Sequence, residues 1–181
     1  MDTFYIIIIC LIIAVLIAAA VLSYLLSEKQ RAVRARKKYY NMLELYNAYC
    51  VILCNYLQGI DHVKDLTPCA LYAGNDNLTI VTKEKPPKVI KLNLAKVQTF
   101  DKFNREKIIP YMNGLILSYL QSYNEFIILQ CLSDNFSEQE IFFTLDITKK
   151  QKAKNDYYLA QCDIFTFISP LISKQEITME L

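Results

Sequence analysis

Residues 4–26, FYIIIICLIIAVLIAAAVLSYLL, contain no charged side chain, and residues 28–38, EKQRAVRARKK, follow after a single serine. As an α-helix the apolar run rises about 1.5 Å per residue, enough to cross a hydrocarbon core of about 30 Å. Each of its Leu, Ile, Val and Phe side chains favours insertion by about 0.3 to 0.6 kcal/mol. We therefore predict a single transmembrane anchor over residues 1–27.

The charges that flank the apolar run predict its orientation. Lys and Arg beside a membrane segment stay on the cytoplasmic side, and Asp2 is the only charged side chain before the run. We therefore predict a single-pass protein of the cell membrane, with its N-terminus outside and its C-terminal domain in the cytoplasm. The acidic N-terminus and the apolar residues after Ala18–Ala20 favour a retained anchor over a cleaved signal peptide.

Two groups of basic side chains are predicted to face anionic lipid headgroups, where each near-surface charge contributes about 1 kcal/mol. They are Lys29, Arg31, Arg34, Arg36, Lys37 and Lys38 after the anchor, and Lys83, Lys85 and Lys88 further on. For the second group, a solvated charged face is the alternative.

The rest of the chain has the composition of a folded domain. Its 181 residues are 54% hydrophobic, with 3 Gly and 5 Pro, which is unlike a disordered chain. The formal net charge is +2, and residues 125–146 carry acidic side chains without Lys or Arg. A nucleic-acid-binding protein is more uniformly basic. We expect one domain over residues 61–181 and no nucleic-acid partner.

Helical spacing continues past the basic cluster, so we predict that residues 28–60 form a basic juxtamembrane segment and helix. Aromatic and apolar residues recur there at three- and four-residue steps, as in a helix seam. The seam residues are Tyr39, Met42, Tyr46, Tyr49, Leu53, Tyr56 and Ile60. The later turns are also apolar nearly all round. Two alternatives remain: the helix docks on its own domain, or it pairs with a second chain in a homo-oligomer.

After residue 67 the pattern changes to that of strands. Cys69–Ala73 and Leu78–Lys83 flank the turn residues Gly74–Asn77, which predicts a hairpin. Alternation over Val89–Phe100 predicts another strand or two.

A second hairpin and a helix are predicted near the C-terminus. Phe126–Leu132 and Ile141–Ile147 are rich in β-branched and aromatic residues and are separated by a polar connection. Thr148 is a suitable N-cap for one long amphipathic helix, which Pro170 should kink or end.

Residues 106–123 fit two structures. Asn113-Gly114 between apolar runs is typical of a type I′ hairpin, whereas Ile109 to Tyr123 also show helical spacing. In either form these residues present an apolar patch, which either packs in the core or touches the bilayer or a partner. The patch residues are Ile108, Ile109, Tyr111, Met112, Leu115, Ile116 and Leu117.

Few residues suit catalysis or metal binding. His62, next to Asp61, is the only histidine, and the usual hydrolase, phosphate-loop and zinc-protease motifs are missing. The spacing of Cys50, Cys54, His62 and Cys69 matches no usual zinc site. In a reducing cytosol we expect the cysteines to be free thiols. We predict no enzyme activity, no metal and no cofactor.

The strand region resembles a family of domains. Ala70–Val81, with ALY before a turn and NLTIV after it, and Val89–Val97, which ends in the L-x-x-V motif LAKV, are similar to bacterial pleckstrin-homology-like (PH-like) and GRAM-like domains. The resemblance covers about residues 66–172. It implies a small antiparallel β-barrel or curved sheet closed by a C-terminal helix.

These features together predict an α+β fold: an N-terminal transmembrane helix, a juxtamembrane helix and a PH-like β domain with its C-terminal helix. The predicted function is a membrane-anchored, non-catalytic interaction module that binds a protein or lipid partner at the cytoplasmic face. The alternative is a structural membrane subunit that oligomerises through the helix at residues 39–60.

Overall fold

The computed structural model describes residues 3–108, 121–132 and 138–179. The chain forms two compact units, Met1–Met42 and Leu43–Leu181. The side chains of the predicted apolar patch at residues 108–117 lie outside the described part.

The helix α1 spans Thr3–Leu45. Its 43 residues extend about 65 Å at about 1.5 Å per residue, more than one membrane crossing needs. Its apolar part reaches a mean hydropathy of 2.3 over a window in which no residue is buried. Among the described residues, α1 is the one helix long and apolar enough to cross a membrane. By length and composition it fits the predicted anchor.

The helix ends at Leu45, so the prediction of a helix through residue 60 is wrong. Asn47 has a φ of 48°, a left-handed conformation that commonly ends helices, and the Ala48 amide donates to the Leu43 carbonyl. Cys50–Gln58 is instead a strand, β1, which is buried on both faces. A run that is apolar on every side is equally typical of a central strand, and its β-branched and aromatic residues favour that form.

Within the described residues, seven antiparallel strands form one sheet in the order β4-β3-β2-β1-β7-β6-β5. The strands after β1 are β2 (Pro68–Ala73), β3 (Asn77–Thr82), β4 (Val89–Asn93), β5 (Val97–Asn104), β6 (Glu125–Leu132) and β7 (Glu138–Thr144). Both predicted hairpins are confirmed as β2–β3 and β6–β7, and the further strands are β4 and β5. A short helix, α2 (Arg105–Ile108), follows β5.

The two outer strands, β4 and β5, are consecutive in the chain. Only the 3₁₀ turn Leu94–Lys96 separates them, so the sheet must curl until its opposite ends approach each other at that turn. Asn93 caps the turn by accepting a hydrogen bond from the Ala95 amide at 2.9 Å. No ladder joins β4 to β5 among the described strands. The sheet is therefore curved and open.

Along one edge, the central strand β1 has different partners in its first and second halves. β7 pairs with it from Asn55 onward, where Asn55 is opposite Thr144. Before that point the helix α3 (Lys149–Gln161) supplies Asn155. The side-chain oxygen of Asn155 accepts a hydrogen bond from the Leu53 N–H at 2.8 Å, and its side-chain nitrogen donates one to the Leu53 carbonyl at 2.7 Å. One side chain thus satisfies a buried backbone pair where the sheet opens.

Two helices follow β7, not the single helix that we predicted. Thr148 caps α3 in a capping box, which confirms that start. The chain then breaks at Asp163, whose carboxylate accepts the Phe165 amide at 3.1 Å and so caps the helix α4 (Ile164–Met179). Pro170 lies inside α4 and does not end it, because apolar side chains beyond it still pack on the core.

Two buried clusters stabilise the sheet. The larger one includes Ile52 and Phe143 from the central strands with Ile164 and Ile168 from α4, all at most 1% exposed. The smaller one consists of Leu57, Phe126, Ile128 and Phe142. The burial of most side chains of β1 follows from this packing.

Cys50 and Cys162 form a disulfide, so the expectation of free thiols is wrong for this pair. Their Cα atoms are 5.4 Å apart, and the bond joins the end of α3 to the first residue of β1. The two cysteines are 112 residues apart in the chain, so spacing along the sequence does not indicate their pairing. Cys54, Cys69 and Cys131 are free and buried, as expected.

We expect peptide mapping of the unreduced chain to recover Cys50 and Cys162 in one linked fragment, while Cys54, Cys69 and Cys131 react with an alkylating agent after unfolding. Because the bond closes a long loop, reduction should lower the free energy of unfolding by about 2–4 kcal/mol. The variant Cys162→Ser should show that loss without reductant and no further loss with it. Alkylation of all 6 cysteines in the unreduced protein would contradict the pairing.

We expect Asn155→Ala to lower the free energy of unfolding by about 2–4 kcal/mol, because it leaves the buried N–H and carbonyl of Leu53 without their partner. The change is measured by urea unfolding of the full chain in mild detergent, with the circular dichroism of its tyrosines as the signal. The neighbouring exposed substitution Asp156→Ala is the matched control and should stay within about 0.5 kcal/mol. Equal stability of the two variants would show that the amide does not hold β1.

Candidate functional site

Three surfaces are candidates for function: the basic part of α1, the connection between β3 and β4, and a cleft beside α3. On α1, the six predicted basic side chains between Lys29 and Lys38 are all exposed. Successive helical residues point about 100° apart, so these side chains spread over a broad arc of the helix, which we call the basic collar. Arg36 also lies over the ring of Tyr40, with its guanidinium carbon 5.7 Å from the ring centre. The collar directly follows the apolar part of α1, where lipid headgroups would lie.

The second predicted basic group lies in the connection between β3 and β4. Lys83 and Lys85 are exposed, as are the prolines that follow them. Lys88 differs, because its ammonium lies 3.3 Å from the Glu84 carboxylate and donates to the backbone carbonyl of His62. Burial opposes ionisation of Glu84, but hydrogen bonds from Lys88 and others lower its pKa below the usual value. Lys88 is thus engaged within the domain, whereas Lys83 and Lys85 face solvent.

The predicted seam residues are dispersed. Tyr39 and Met42 lie in α1, Tyr46 and Tyr49 in the turn after it, Leu53 and Tyr56 in β1, and Ile60 beyond β1. Several of them pack within the domain: the Tyr46 ring is 4.4 Å from that of Tyr72, and the Tyr49 ring is 5.7 Å from that of Phe167. The seam is therefore not a continuous helical surface.

A cleft of about 350 Å³ opens beside α3, close to the point where β7 leaves β1. It is lined by Ile52, Lys102, Glu125, Leu145, Ile147, Lys152, Asn155, Asp156, Leu159, Asp163 and Phe165. Lys102 and Glu125 pair at the rim at 3.0 Å. Both polar atoms of Asn155 are used by Leu53. The cleft thus combines apolar walls with charged side chains that are partly paired. Its residues come from separate elements, so no sequence motif indicated it.

The residues considered for metal or catalysis do not all converge: the sulfurs of Cys54 and Cys69 are 3.3 Å apart, but His62 and Cys50 lie elsewhere. His62 is exposed in the loop after β1, and Cys50 is in the disulfide. Burial raises the pKa of the Cys54 thiol well above its usual value, and the hydrogen bond with Cys69 adds to that shift. A buried protonated thiol is a poor nucleophile and a poor metal ligand. Within the described ranges, no group of three or more His, Cys, Asp or Glu side chains could hold a metal ion.

Comparison of the chain with protein-family models, with curated proteins and with solved structures finds no match.

A buried tyrosine cluster makes the domain sensitive to alkaline pH. Burial, together with the neighbouring Tyr46 and Tyr158, raises the pKa of Tyr72 to about 12. The phenol in an unfolded chain ionises near pH 10. The contribution of Tyr72 to stability is therefore complete below about pH 10 and is lost as the pH rises towards about 12.

We expect Tyr72→Phe to reduce the loss of stability between about pH 10 and about pH 12, because phenylalanine keeps the ring contact but carries no ionisable group. The measurement is the free energy of unfolding at a series of pH values. Tyr40→Phe, an exposed substitution on α1, is the control and should leave the pH profile unchanged. Identical profiles for Tyr72→Phe and the unmodified chain would contradict the assignment.

Proposed function

We propose that this chain is a single-pass, membrane-anchored, non-catalytic interaction module, whose sheet domain binds a protein partner at the cytoplasmic face while the basic collar contacts lipid. One observation carries the proposal: apolar surface is exposed on the helix and buried in the domain. From Leu11 to Leu26, the large apolar side chains are 50% to 65% exposed. In the domain, most apolar side chains belong to the two buried clusters. The helix surface suits lipid, and the domain surface suits water.

The basic collar supports the proposed orientation. Its Lys and Arg side chains lie at the domain end of the apolar helix, where positive charge favours the cytoplasmic side. A tether of this kind raises the concentration of the domain near other membrane components, so that a weak interaction suffices for binding.

The domain architecture supports a binding role. Consecutive strands are neighbours within β1–β4 and within β5–β7, and helices that pack on the sheet follow them, an order compatible with the PH-like resemblance of residues 66–172. The described side chains contain no assembled nucleophile, base and charge-stabilising group. Exposed lysines and the cleft beside α3 are instead features of a binding surface.

The alternative, a structural subunit that oligomerises through residues 39–60, loses its main support. It required one helix with a continuous seam, but Tyr46 and Tyr49 contact Tyr72 and Phe167 in the same domain. The interaction module is therefore the function that we favour.

Protease protection tests this proposal. In sealed inverted vesicles of a bacterial inner membrane, added protease should remove a C-terminal epitope from the full chain, whereas intact cells should protect it. Replacing the six collar residues between Lys29 and Lys38 with Gln should produce a mixture of orientations, because the bias towards the cytoplasm is lost.

A matched control removes six basic charges from the domain, by replacing Lys83, Lys85, Lys91, Lys149, Lys150 and Lys152 with Gln, and should keep one orientation. Disulfides are rare in the cytosol, so the Cys50–Cys162 bond is a physical reason to test also for a domain outside the cytoplasm. Digestion of the epitope on intact cells would place the domain in an oxidising compartment and overturn the proposed face. A photo-crosslinker at position 49 that yields a homodimer as the main product would favour the structural alternative.

A further inference from the structure

The outer edge of β4 has backbone groups that point away from the sheet. The Thr82 amide donates to the Lys88 carbonyl at 2.9 Å, and the Leu94 amide donates to the Asp76 carbonyl at 2.9 Å. Antiparallel strands alternate the direction of their backbone groups from residue to residue. Residues 88 and 94 direct their backbone groups towards β3, so Ile90 and Leu92, which lie two residues from them, also direct their backbone N–H and carbonyl groups towards β3. The groups of Val89, Lys91 and Asn93 point to the outer edge, where no described strand pairs.

The side chains of β4 alternate in the same register. Ile90 and Leu92 are partly buried and pack against the larger core cluster. Val89 is 49% exposed, and Lys91 and Asn93 are exposed on the other face. A strand added at this edge would cover Ile90 and Leu92 further with one set of side chains and place the other set beside Lys91.

The edge is positively charged. Lys83 and Lys85 precede β4 and are exposed, and Lys91 lies in the middle of the strand. Glu84, the carboxylate between the first two, is engaged by Lys88 at 3.3 Å and by the Thr67 hydroxyl at 3.2 Å. An acidic segment would therefore find unopposed lysines along the edge.

We propose that the outer edge of β4 binds an extended segment of a protein partner in which apolar and acidic residues alternate. Val89, Lys91 and Asn93 supply three N–H donors for a new ladder, and Val89 and Lys91 supply two carbonyl acceptors, because the Asn93 carbonyl accepts within the 3₁₀ turn that follows it. Lys91 selects acidic side chains on the exposed face. This inference rests on the proposed function and names the class of partner.

Two other occupants fit the edge less well. An antiparallel pair of β4 strands centred on Lys91 would place Lys91 of one copy opposite Lys91 of the other, and like charges opposite each other destabilise a ladder. An anionic lipid headgroup matches the lysines but offers no backbone to pair with the N–H and carbonyl groups. An acidic strand can pair both with the lysines and with the outward backbone groups of β4.

The register predicts which amides of the bound segment matter. In an antiparallel pair, the residue opposite Lys91 directs its backbone groups towards β4 and its side chain to the same face as Lys91. In a segment of alternating glutamate and valine, the glutamate amides therefore bond to β4, and the valine amides point away. N-methylation of glutamate residues removes those donors, whereas N-methylation of valine residues leaves them.

The test uses the full chain in nanodiscs of neutral phosphatidylcholine and a fluorescent ten-residue peptide, (Glu-Val)5, with blocked ends. We expect the peptide to bind, as measured by fluorescence anisotropy, and to slow hydrogen exchange at the amides of Val89, Lys91 and Asn93. The peptide N-methylated at glutamate should bind at least about tenfold more weakly, and the peptide N-methylated at valine should bind within about threefold of the parent.

Matched protein variants separate charge from backbone pairing. Lys91→Glu should weaken binding at least about tenfold, whereas Lys150→Glu, an exposed change of equal charge on α3, should have less than about a twofold effect. Val89→Pro removes one outward N–H at the first position of an edge strand, which tolerates proline, and should weaken binding, whereas Val89→Ala should not. A fold check by circular dichroism accompanies each variant.

Three results would overturn the inference. Binding that is equally strong for both N-methylated peptides would show a purely electrostatic contact. Failure of the peptide to bind, together with protection of residues 83–91 only in nanodiscs with phosphatidylserine, would assign the surface to lipid. Failure to bind in either nanodisc would leave the edge unused. None of these results changes the protease protection pattern, so a failure of the β4 inference is distinguishable from a failure of the proposed function.

Discussion

The fold depends on how the central strand β1 is covered. Nearly every side chain of Cys50–Gln58 is buried, so its backbone groups need partners on both edges. β2 pairs along one edge, but β7 reaches the other edge only from Asn55 onward. The amide of Asn155 completes the second edge at Leu53. Because this side chain takes the place of a strand, the sheet opens beside β1, and α3 packs along the opening.

The same constraint determines which surfaces remain free. The three-residue turn Leu94–Lys96 joins β4 and β5, the two outer strands of the sheet, so the sheet curls. The helix α4 packs on the larger apolar cluster. The core is thereby closed, and the cleft lies where α3 replaces β7. The outer edge of β4 stays open to solvent among the described residues and carries lysines that discourage pairing with a second copy. Positive charge and free backbone groups thus coincide on one edge.

The apolar part of α1 and the sheet domain use apolar residues in opposite ways. On α1 they are exposed from Leu11 to Leu26, whereas on β1 they are buried by strands and helices. Both segments are continuous apolar runs, and length distinguishes them: the first is long enough to span a bilayer, and the second has the length of a strand. The disulfide between Cys50 and Cys162 joins the connection between α3 and α4 to β1, the strand that follows α1.

The amino-acid sequence by itself determined the features that depend on local pattern. The uncharged run of residues 4–26 indicated a helix long and apolar enough to span a membrane. Turn residues between apolar runs indicated the hairpins β2–β3 and β6–β7, and Thr148 indicated the start of α3. The sequence did not reveal the end of α1, because residues 50–58 are apolar at both helical and strand spacing. The pairing of Cys50 with Cys162, the bond from Asn155 to Leu53, the cleft and the outward backbone of β4 were decided by tertiary structure alone. Each depends on which distant segments become neighbours, and that follows from the packing of the whole sheet rather than from the residues nearby in the chain.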